Sequence, residues 1–288
     1  MNKTVHGVYS RPEGHWVGDG FPVQSLFTYE KFGQHLSPFL LLDYAGPAGF
    51  PAAKNPRGVG EHPHRGFETV TIVFQGEVAH RDSAGNSGVI GPGDVQWMTA
   101  AAGILHEEFH SPAFTQTGGT LEMAQLWVNL PARHKMSPPR YQAIANADIP
   151  QAALESGAGS LRVIAGKYNA VRGPAATFSA MNVWDVRLEA GRHATLSVPE
   201  GHTAAIALLR GAIAANGSRE ASGAGLVVFE RSGTEIAIEA AADSTLLLLS
   251  GAPIAEPIVG YGPFVMNSRQ EIETAMDDFR IGKFGRMP

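Results

Sequence analysis

The chain has 288 residues and a formal net charge of −5, and 44 % of its residues are hydrophobic, enough to bury one large β domain or two ordinary ones. It contains no cysteine, which excludes disulfides, thiolate metal sites and thiol catalysis, and no run of Lys or Arg offers a broad surface to nucleic acid. No stretch reaches the roughly 18 apolar residues that span a bilayer, and residues 1–20 lack the apolar region of a secretory signal, so a soluble cytoplasmic protein is expected.

Along the chain, short strand-like runs alternate with Gly, Pro, Asn or Asp turns: FLLLDYAG, TVTIVFQG, GEVAHRDSAGN, GVIGPGDVQWM and LEMAQLWVNL. This texture reads as a sandwich or barrel, with a hairpin turn at Ser83-Ala84-Gly85-Asn86. From 131 to 160 the composition shifts to Pro, Ala and Ser, which suggests a connector. A second β-rich series runs from about Leu161 to Ser250. It echoes the first: TVTIVFQG can be laid on TAAIALLRG with Gly76 matched to Gly211. That alignment sets Ser197 and Pro199 against His62 and His64, and Thr203 against Glu68, so only the first half carries a histidine pair. At the C-terminus, Ser268 and Glu271 have capping-box spacing, Ile272, Ala275, Met276 and Phe279 recur at helical spacing, and Gly282 follows. A helix over about Arg269–Arg280, packed on the body of the protein, is expected.

The chemistry concentrates in EHPHRGFETV, residues 61–70. Alternate strand residues share a face. Val70, Ile72 and Phe74 are apolar, so an unbroken strand would turn His62, His64 and Glu68 inward. Buried imidazoles need partners, and a metal supplies one. Downstream, GILHEEFH places His106 and Glu108 on one parity and Glu107 on the other. Three imidazoles and a carboxylate suit Fe(II), Mn(II), Ni(II), Cu(II) or Zn(II). Each residue alone has a plainer explanation. An H-x-H pair is often surface, His106 can be a core histidine bonded to backbone, and Glu68 or Glu108 can pair with Arg65. Their combination on matching parity favours the metal. His80, His110 and His134 lack ligand-type neighbours at useful spacing, though His110 shares a strand with His106. His6, His15, His35 and His193 read as surface or structural, and Trp97 and Met98 as core.

HPHRGFETVT (62–71), DSAGNSGVIGPGDVQWMTA (82–100) and GILHEE (103–108) closely resemble the pirin family of the cupin superfamily. QLWVNLPARHKMSPPRYQ (125–142) and EPIVGYGPFVMNSRQEI (256–272) extend the match over most of the chain, with 150–250 matching least. The resemblance implies an all-β bicupin: two facing jelly-roll β-barrels and a short C-terminal helix. The expected division is a metal-binding barrel over 1–135, a connector over 136–160, a metal-free barrel over 161–255 and a helical C-terminal segment over 256–288. It implies one metal per chain held by His62, His64, His106 and Glu108, foremost Fe(II), with Zn, Mn, Ni, Co or Cu as alternatives. Glu68, the ligand in the general cupin pattern, then falls behind the ligands. Where pirins often carry Gly-Arg after M-T-A, this chain has Ala101-Ala102.

Bacterial pirin-like proteins include flavonol dioxygenases known as quercetin 2,3-dioxygenases. The resemblance therefore implies a dioxygenase that opens the heterocycle of a flavonol, or another enolic small molecule, with O2 and release of CO. Glu108 would act as both ligand and base. The alternative is an iron-binding, redox-sensitive regulator working through a protein partner.

Overall fold

A computed structural model describes residues 1–10 and 13–288. The chain divides into two compact units that do not follow a linear cut. One comprises residues 14–29, 39–146 and 254–288. The other comprises 1–13, 30–38 and 147–253.

The first unit holds a seven-stranded antiparallel sheet. In spatial order its strands are Arg140–Ile144, Val95–Thr99, Phe67–Gln75, Gly119–Asn129, Phe39–Phe50, Phe21–Thr28 and Gly14–Val17. A second sheet orders Gly58–His64, Ile104–His110, Val78–Asp82 and Ser87–Ile90. The expected hairpin joins the last two: the Asp82 amide donates to Asn86 O at 2.9 Å, and Asp82 Oδ1 accepts from the Ala84 and Asn86 amides, both at 2.9 Å. Gly85 takes the positive φ, +89°, that the turn needs. Phe21, Val23, Val73, Val78, Leu121 and Met123 form one core cluster of this unit, each such side chain contributing roughly 1.5–3 kcal/mol on burial.

The C-terminal segment belongs to this first unit. Phe264–Met266 pairs with Val259–Tyr261, and Arg65 forms a parallel bridge to Phe264. The helix Arg269–Arg280 starts where expected. Ser268 Oγ accepts from the Glu271 amide at 3.3 Å, and Glu271 Oε2 accepts from the Asn267 amide at 3.1 Å. Ile272 and Ala275 join Leu105, Phe264, Met266 and Phe284 in a buried cluster, while Phe279 stays 42 % exposed.

The second unit is built on one sheet whose main path runs Val5–Ser10, Gly225–Phe229, Thr203–Ala215, Glu235–Gly251, Met181–Leu188, Gly159–Ala165 and Gln151–Ala153. The strand Thr203–Ala215 thus holds the place that Phe67–Gln75 holds in the first unit, as the Gly76–Gly211 alignment requires. Both glycines take positive φ, +80° and +98°. Among the described residues neither main sheet closes into a hydrogen-bonded ring, so each is an open form of the jelly-roll arrangement. No helix among the described residues is long and apolar enough to cross a membrane.

Candidate metal centre

The strand Gly58–His64 runs antiparallel to Ile104–His110, with His62 opposite His106 and His64 opposite Ile104. Pro63 between the histidines keeps them on one face. The ligand atoms of His62, His64 and His106 all lie within 4.8 Å of one another. Ring centroids are 4.2 Å apart for His62–His106 and 4.8 Å for His64–His106. On the other side, Val78–Asp82 sets His80 opposite Glu108 and Asp82 opposite His106. His80, His106 and Glu108 form a second group of the same tightness, so the two groups share His106.

Hydrogen bonds decide which atoms are available. His62 Nδ1–H donates to Gly60 O at 2.8 Å, which leaves Nε2 with its lone pair. His106 is fully buried and neither ring nitrogen has a hydrogen-bond partner. Burial, then the neighbouring imidazoles, holds the His64 and His106 pKa values well below the ordinary histidine value. Both rings are therefore neutral, the form that ligates. Glu108 is steered by two neighbours. Gln125 Nε2 donates to its Oε2 at 3.1 Å, and the Thr71 hydroxyl lies 3.1 Å from its Oε1. That hydroxyl sits closer to Gln125 Oε1, at 2.6 Å, and its single proton goes there first. A buried imidazole with two unbonded nitrogens, beside two further imidazoles and an oriented carboxylate, fits a borderline divalent transition metal.

His80 lacks ligand-type neighbours at useful spacing in the sequence, yet the fold carries it to the site. Its nitrogens are both engaged: Gln96 Nε2 donates to Nδ1 at 2.9 Å, and Nε2–H donates to Asp82 Oδ2 at 3.4 Å. Tyr141 stacks on the ring at 5.2 Å and 14°. The H-x-D alternation before the hairpin was the available signal. Thr71, Gln96 and Gln125 were also missed, because they come from strands that only the sheet order brings together. His110 shares the parity of His106 but sits farther along, its Nε2 donating to Gly20 O at 3.0 Å among Phe21, Phe50 and Phe114.

The inward turn expected of Glu68 is corrected. The strand breaks at Arg65-Gly66, where Gly66 has φ +91°, so parity does not carry across from His64. Thr71 on the odd face reaches Glu108; Glu68 on the even face accepts from Thr99 Oγ1 at 2.7 Å. Burial pushes the Glu68 carboxyl up to about 7. Nor does Arg65 pair with Glu68 or Glu108. It donates to Asp278 at 2.9 Å and to Ala102 O at 2.6 Å, and lies 4.6 Å over the Phe284 ring.

Residues 20–128 match the Pirin family, and residues 183–285 match the Pirin C-terminal cupin domain. A putative quercetin 2,3-dioxygenase of Pseudomonas aeruginosa is 60 % identical over 284 residues, covering 99 % of both chains. The chain belongs to the pirin family. Among solved structures of the family's fold, a quercetin 2,3-dioxygenase from Acinetobacter baumannii superposes with a TM-score of 0.97 at 54 % identity, covering 99 % of each chain. A bacterial pirin from Escherichia coli, solved in complex with nickel(II), shares the fold at a TM-score of 0.64 and 22 % identity, covering 86 % of this chain and 99 % of that one. Both halves of this pirin-family chain are therefore cupin domains.

Proposed function

We propose that this pirin is a metal-dependent dioxygenase that opens the heterocycle of flavonols such as quercetin with O2 and releases CO. The observation that carries the reading is the cluster around His106, whose buried, unbonded nitrogens sit between His62, His64 and Glu108. In this reading His62, His64, His106 and Glu108 hold one transition metal, foremost Fe(II). That ion, when bound, supplies a Lewis-acidic, redox-active centre for an enolate oxygen and dioxygen. The similarity to proteins named quercetin 2,3-dioxygenase supports the substrate class.

The protein's own groups prepare the substrate. The flavonol 3-hydroxyl must lose its proton before the ring can react with O2. Glu108 Oε1 takes it, because Thr71 gives its own proton to Gln125 and leaves that oxygen without a firm donor. Gln125, fixed on Glu108 Oε2, keeps the carboxylate aimed. Phe67 and Trp127, at 5.1 and 5.4 Å from the His64 ring, form an apolar wall that limits water beside the histidines.

The test is a steady-state assay of iron-loaded and apo protein with quercetin under air, followed by loss of flavonol absorbance. Turnover by the loaded form alone is expected. Equal rates with and without metal overturn the reading, and no turnover by either form favours the regulator.

A further inference from the structure

A second group of metal-ligating side chains lies in the other unit, independent of the reaction above. His6 lies on Val5–Ser10, His35 ends the turn Gly33–His35, and Glu230 follows Gly225–Phe229. Ligand atoms of the three all lie within 4.8 Å of one another. The His6 and His35 rings are 4.3 Å apart at 38°, and His6 Nδ1 is 2.8 Å from Glu230 Oε1. His35 Nε2 is buried without a hydrogen-bond partner.

The backbone beneath these side chains is well held. Thr203 Oγ1 donates to His35 O at 3.1 Å, Arg231 donates to Gln34 O at 2.6 Å, and the Glu230 amide donates to Thr4 O at 2.8 Å. Three segments far apart in sequence thus bring two imidazoles and one carboxylate to one point. An ion pair between His6 and Glu230 accounts for two of the three groups, and at this exposure it is weakened by solvent. It leaves the His35 nitrogen unexplained. A divalent cation accounts for all three.

We propose that His6, His35 and Glu230 form a second, exchangeable site for a divalent transition metal of the Zn2+, Ni2+ or Cu2+ class. Two imidazoles and a carboxylate are a donor set these ions accept, with the other positions left to water. An adjoining open depression of about 550 Å³, lined by Gln34, His35, Glu230, Arg231 and Ser232, has room for those waters. Arg231 opposes a cation there, and the Glu230 carboxylate offsets it. The His6 and Glu230 side chains are 41 % and 45 % exposed, so water competes for the ion and it is lost on dialysis. Once bound, it ties the N-terminal strand to the 30–38 segment and to the end of Gly225–Phe229. The alignment of the two halves does not produce this site, since His6 and His35 lie outside the repeated series.

The experiment uses untagged full-length protein with the first centre filled anaerobically with iron, equilibrated against micromolar Zn2+. Zinc and iron are counted on the same samples. One Zn2+ per chain beyond the iron is expected. His35→Ala and Glu230→Gln should each weaken that uptake roughly tenfold or more with iron content unchanged, and His6→Asn should do the same with the least disturbance of the strand. No zinc uptake by wild type, or an extra ion that persists in all three variants, overturns the proposal.

Discussion

Buried imidazole nitrogens without partners cost about 1–3 kcal/mol each, and His106 has two of them. His106→Ala should therefore lose most of the bound metal while circular dichroism shows an intact β fold; an unfolded variant would make the metal a structural element. Glu108 and Glu68 should part company. Glu108→Gln should weaken metal binding and abolish flavonol turnover, because a neutral amide is a poor ligand and a poor base. Glu68→Gln, bonded to Thr99 on the opposite face of its strand, should keep both close to wild type. Metal content and absorbance decay on the same samples decide it, and the reverse pattern would move the ligand role to Glu68. The pairing of His62 with His64 and of His106 with Glu108 was legible from alternation alone. The side of Glu68 was not, because one break at Arg65-Gly66 resets the alternation. Ala101, buried at φ +42°, stands where glycine would be free of strain. Ala101→Gly is expected to raise stability by about 1 kcal/mol, read as a higher Tm.

At the level of elements, the C-terminal segment is locked to the Arg65–Phe67 stretch that follows His64. Lys135 is buried, and its ammonium donates to Gly66 O at 2.7 Å, Asn129 Oδ1 at 2.7 Å and Val265 O at 2.9 Å. Lys135→Met keeps the length and removes all three donors, leaving acceptors that cost about 1–3 kcal/mol each when unpaired. The expected result is a lower Tm and faster hydrogen exchange in both 64–67 and 264–266. Exchange faster in only one of them would show that the lysine does not join the two. The helix and the hairpin were legible in advance, since caps, turn glycines and apolar spacing are local signals. The attachment of Phe264–Met266 beside Arg65 was not, because a bridge between positions so far apart leaves no trace in either local pattern.

Over the whole molecule, stability should carry a signature of Glu68. Its folded pKa is raised from 4.5 to about 7, chiefly by burial, so the folded state keeps a proton that the unfolded chain releases. The associated stability is fully present below about 4.5 and is lost as pH rises through about 7, amounting to ~3 kcal/mol at about 1.4 kcal/mol per pKa unit. Denaturant midpoints at pH 5 and pH 8 should fall more for wild type than for Glu68→Gln; parallel falls would remove Glu68 as the cause. The repeat of one architecture was legible from a single glycine match, and Phe67–Gln75 and Thr203–Ala215 do hold corresponding places in their sheets. The crossing of the chain ends, with 1–13 in the second unit and 254–288 in the first, follows from the pairing of Val5–Ser10 with Gly225–Phe229 and the bridge of Phe264 to Arg65, which composition does not encode. The central claim is a metal-dependent ring opening, and its most direct test is CO released per flavonol consumed. Iron-loaded wild type should yield one CO per quercetin, and apo protein and Glu108→Gln none. Flavonol loss without CO from the loaded wild type would contradict the account.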